Sequence, residues 1–146
     1  MDNLFEAIPY LQHYRPAFAV VAVLSLIVVI QNFLTAPLSF VKEEQTPGMP
    51  LQFDHSKLSF RAIRTYQNSA ESFPAFLGAF LVAIVVGVAP LIVNVAAGIY
   101  LAARIAFWAI YYAGVGRVAG GPRTMAFVVC LLSNIVLAIA ATVSAV

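Results

Sequence analysis

The chain has 146 residues, of which 62% are hydrophobic and only 10% charged, and its mean hydropathy is +0.94. A soluble domain clothes its surface with roughly a quarter charged residues. Eight Lys and Arg with six Asp and Glu exclude such a domain, so lipid must be the solvent for most of the chain. The formal net charge of +2 leaves no basic field of the kind that attracts nucleic acid.

The N-terminal MDNLFEAIPYLQHYRP carries acidic residues where a secretory signal needs basic ones. No small-residue cleavage site follows the apolar run, so the first helix is expected to be retained. Residues 16–41, 72–103 and 124–146 contain no Asp, Glu, Lys or Arg. A bilayer core of about 30 Å takes about 20 apolar helical residues, so the first and last of these stretches hold one span each. The middle one is interrupted at Gly87, Ala89 and Pro90, which predicts two helices joined by a short turn. The expectation is an all-α membrane protein, a single domain of four transmembrane helices at about 16–40, 58–88, 91–115 and 123–145.

Lys42, Lys57, Arg61 and Arg64 lie in or beside the connection between the first two spans. Arg117 and Arg123 lie between the last two, and Arg15 alone marks the other side. The positive-inside rule then predicts both connections in the cytoplasm and both termini outside, in the inner membrane if the source is bacterial. The first connection, KEEQTPGMPLQFDHSK, has two Pro and a Gly and reads as a polar loop.

The second span opens with Arg61, Arg64, Asn68 and Glu71. At about 100° per residue they fall within an arc of about 80° on one helix face. Two arginines three residues apart repel each other, and charge near the bilayer centre costs about 2.5–3.5 kcal/mol. Glu71 balances one of them across Asn68, leaving a positive charge suited to an anionic ligand. The alternative for the arginines is snorkelling to water and headgroups. Arg104, in the third span, is more than ten residues from either end of an uncharged segment and must face the protein interior; Glu71 is its expected partner. Tyr111 lies on the same stripe as Arg104, and with Tyr112 and Trp108 it reads equally well as an interfacial aromatic belt. The Gly- and Pro-rich turn before the fourth span carries Arg117, which reads as a topology signal, and Arg123, which can reach over the polar stripes.

These residues, Arg61-x-x-Arg64-x-x-x-Asn68-x-x-Glu71-x-x-Pro74-x-Phe76, Arg104-x6-Tyr111 and Pro122-Arg123, resemble the MAPEG family of membrane-associated proteins in eicosanoid and glutathione metabolism, in particular its microsomal-glutathione-transferase-like members. The resemblance implies a homotrimer of four-helix subunits with glutathione bound between protomers near the cytoplasmic side. Residues matching Arg64, Asn68 and Glu71 hold the tripeptide; Arg61, Arg104 and, in the first loop, Lys42 join this binding set. Tyr111 lies in the site, and Arg123 stands near the thiol, activating it toward a lipophilic electrophile arriving from the membrane lipids. Gln67, where some members carry arginine, Phe107, at a position often His or Tyr, and Thr124, where Ser can occur, depart from the pattern. The family also contains a non-enzymatic lipid-binding member, so a binding or partner subunit is the alternative to an enzyme. A transporter using Glu71 and Arg104 as a relay is a further, weaker one.

No metal is expected. His13 and His55 lack companions at metal-ligand spacing and read as solvated loop residues, and Cys130 reads as a small buried hydrophobe.

Overall fold

The structure is a computed structural model that describes residues 4–41, 44–46, 49–117 and 119–146. Two short helices, α1 (Leu4–Ala7) and α2 (Pro9–Gln12), precede four long ones: α3 (Arg15–Val41), α4 (Leu58–Val85), α5 (Pro90–Ala113) and α6 (Pro122–Ser144). All four long helices have the length and apolarity to cross a membrane. Their outward faces expose residues such as Leu26, Phe33, Val85 and Leu91, as lipid contact requires.

Each boundary has a local cause. α4 stops at Val85, short of the expected 88, because Gly87 adopts a left-handed φ of 80° and Pro90 must begin the next helix. α5 ends at Ala113 because Gly114 takes a left-handed φ of 67°. At the start of α4, where backbone N–H groups lack helical partners, the loop carboxylate of Glu44 accepts from Ser59 N at 3.2 Å.

α4 and α5 each pack against all the other spans, while α3 and α6 flank them. The core between them stacks Phe76 on Tyr100, with ring centroids 4.1 Å apart and planes 16° from parallel. Ala83, Ala96, Ala97 and Ala103 let the helices approach closely. Ser133 Oγ donates to Ala96 O at 2.6 Å and pins α6 to α5.

The N-terminal segment ties off one end of the bundle. Tyr10 donates to Ile84 O and Tyr14 to Val88 O, both at 2.7 Å, so two hydroxyls satisfy carbonyls at the α4–α5 turn. Asn94 accepts from Ala17 N at 3.1 Å and donates to His13 O at 2.8 Å. The opposite end, where the arginines gather, stays open.

Candidate functional site

At that open end a cavity of about 490 Å³ lies among α4, α5, α6 and the loop before α4, a size in the ordinary range for small-molecule sites. Arg64 and Asn68 enter it from α4, Tyr111 from α5 and Arg123 from the first turn of α6. Phe53, Phe60, Phe107 and Phe127 supply aromatic walls. The helical spacing of Arg64 and Asn68 puts both on the inner face, and Pro122 at the first position of α6 fixes the start from which Arg123 projects. The Arg123 guanidinium carbon lies 4.4 Å from the Tyr111 ring centroid, a cation–π stack that holds both groups in place.

Arg64 Nη1 donates to Gln67 Oε1 at 2.8 Å, so the glutamine orients the arginine one turn before it. Phe107 packs on Tyr111 at 5.6 Å and beneath the Arg104 guanidinium at 5.1 Å.

Arg104 is only 3% exposed. Its expected partner, Glu71, is not its partner here: Nη1 donates to Asn68 Oδ1 at 2.7 Å, and Nη2 donates to Ser69 Oγ. Neutral acceptors suffice because each charge-assisted bond offsets part of the desolvation. Arg104 therefore touches the cavity through Asn68, whose carbonyl oxygen it holds. Glu71 is exposed on the bundle surface and lines a second cleft of about 290 Å³, shared with Asn68, Ser72, Tyr100 and Asn134. Arg61 lies at the rim with its guanidinium directed at backbone: Nη1 to His55 O at 2.8 Å and Ser56 O at 2.7 Å, Nη2 to Tyr112 O at 3.3 Å. Lys42 lies outside the described residues. Among the described residues no three His, Cys, Asp or Glu side chains gather to hold a metal.

One lining residue was not anticipated. His55 is exposed in a turn, as its reading as a solvated loop residue expects, yet it also lines the cavity, with Nδ1 3.3 Å from the Tyr111 hydroxyl and its ring edge-on to Phe60 at 4.8 Å. Asp54 Oδ1 accepts from Ser56 N at 2.9 Å and Ser56 Oγ at 2.7 Å, and Arg61 holds the His55 carbonyl, so the turn is fixed on both sides of the ring. Partial desolvation, then Arg123, Arg61 and Arg64, push the imidazole below its ordinary pKa. The sequence signal, Asp54-x-Ser56 just before an arginine stripe, marks a turn but not where its ring points.

A bundle of four apolar spans with an arginine-lined cleft among the helix ends defines an integral, multi-pass membrane protein. The MAPEG family model matches residues 15–143, and the chain belongs to that family. The search of curated proteins found no match.

Proposed function

We propose that the protein is a membrane-bound glutathione transferase, with peroxidase chemistry open to the same activated thiol. Glutathione is the substrate that the cavity and its neighbouring cleft suit: Arg64 and Arg123 complement its carboxylates and thiolate, Asn68, which lines both, its amides, and Glu71, in the neighbouring cleft, its ammonium. The observation that carries the reading is the convergence of Arg64, Asn68, Tyr111 and Arg123, from three helices, on one aromatic-walled cavity.

A thiol with a pKa of about 8.5 is only a few per cent thiolate at neutral pH. Lowering that pKa by about two units takes about 2.7 kcal/mol of preferential stabilisation of the anion. Arg123, fixed over the Tyr111 ring, supplies the charge, and the Tyr111 hydroxyl supplies a second donor. Arg104 positions Asn68 from below, and Arg61 holds the loop that forms one wall. The lipophilic electrophile comes from the surrounding lipid, and its apolar body meets the phenylalanine walls. In this reading three copies assemble, the site faces the cytoplasm and the termini lie on the other side.

The test is direct. Purified protein mixed with glutathione should show thiolate absorbance well below the ordinary thiol pKa, and conjugation of a dinitrohalobenzene should fall sharply in Arg123→Ala. Absence of glutathione binding at millimolar concentration would overturn the reading and leave a lipid-binding or partner subunit on the same fold.

A further inference from the structure

Activating a thiol requires a destination for its proton as well as a home for its anion, and arginines provide only the second. Among the groups around the cavity, Arg61, Arg64 and Arg123 are permanent cations. Asn68 and Thr124 do not titrate, and the Tyr111 hydroxyl holds its own proton. Among the described residues that line the cavity, His55 is the side chain whose ring nitrogen can take up a proton. Its Nδ1 is 3.3 Å from the Tyr111 oxygen, a separation typical of catalytic hydrogen bonds before substrate tightens them. The charged groups facing the ring are Arg61 and Arg64 from α4, Arg123 from α6 and Asp54 in its own turn; desolvation and the three arginines together push the ring below its ordinary pKa, against the pull of Asp54. A thiolate beside Arg123 adds the negative charge that these cations lack and makes an imidazolium tolerable at the moment the proton arrives.

We propose that His55 is the proton acceptor of the site, working through Tyr111. The thiol S–H bond breaks with its electron pair left on sulfur, the Tyr111 oxygen takes that proton, and the Tyr111 hydroxyl proton passes to His55 Nδ1. The imidazolium later gives the proton to water as the electrophile's leaving group departs as an anion, so charge and atoms balance. This rests on the glutathione reading above.

The experiment mixes the protein with glutathione in weak buffer and follows two signals together: thiolate by ultraviolet absorbance and released protons by an indicator dye. Wild type should form more thiolate than it releases protons, because His55 retains the difference. His55→Gln should release one proton per thiolate and form thiolate about a hundredfold more slowly, the scale of a positioned base, with added imidazole restoring the rate. Tyr111→Phe, which interrupts the same relay, should lose proton retention too and carries the test if His55→Gln aggregates. A His55→Gln variant with wild-type stoichiometry and rate overturns the proposal while leaving the glutathione reading intact. A wild-type protein that forms no thiolate overturns both.

Discussion

Replacing Arg104 distinguishes the observed pairing from the one its position in the sequence suggests. An arginine in mid-span raises the free energy by about 2.5–3.5 kcal/mol, and a charge-assisted hydrogen bond returns about 1.5–3 kcal/mol. Measured couplings between membrane helices are smaller, about 0.6 kcal/mol on average and about 1.7 at most. With Arg104 3% exposed and its bond to Asn68 at 2.7 Å, a value near the upper end, about 1.5 kcal/mol, is expected for that pair. Glu71, exposed and with no ion pair to Arg104 among the described residues, should couple by less than about 0.5 kcal/mol. Two double-mutant cycles, Arg104→Leu with Asn68→Ala and Arg104→Leu with Glu71→Gln, read by reversible unfolding in mixed micelles, measure both numbers. A Glu71 coupling equal to or larger than that of Asn68 would refute the assignment.

Three other outcomes follow from local geometry. Gly114→Ala places a Cβ 3.1 Å from the Arg61 guanidinium carbon at a φ of +67° and should destabilise by about 1–2 kcal/mol in the same unfolding assay. Tyr14→Phe strips the buried Val88 carbonyl of its 2.7 Å hydroxyl partner and should cost about 1–3 kcal/mol. The depressed His55 pKa means the unfolded chain binds its proton first. Its contribution to stability is therefore fully present above about pH 6.5 and declines as pH falls through the lower folded-state value. His55→Gln should flatten that part of a stability–pH curve, and an unchanged curve would refute the assigned environment.

How much of this was legible in advance depended on the range of the interaction. The four spans follow from where charge is missing, and Arg64 and Asn68 share a face because helical period alone decides it. Helix ends moved by more than one residue only where Gly87 and Gly114 took left-handed backbone. Arg104 was recognisable as interior, but pairing it by charge count failed because an amide and a hydroxyl a helix away served instead. Tyr10 and Tyr14 act on carbonyls more than seventy residues distant, and no local pattern announces that. His55 escaped for the same reason: its ring is placed by contacts to α4 and α5, while its neighbours in sequence spell only a turn.

The tyrosine-tied end sets the mechanics of the whole bundle. Helices fastened to one another at one extremity behave as levers pivoting there, so a given angular fluctuation moves their far ends most. The far ends of α4 and α5 carry Arg64 and Tyr111, and an angular fluctuation at the fulcrum becomes a change in the gap between guanidinium and hydroxyl. Stiffness at Tyr10 and Tyr14 thus governs how sharply the distant cleft is defined, and a hydroxyl lost on one side of the bilayer should be felt as a broader cleft on the other.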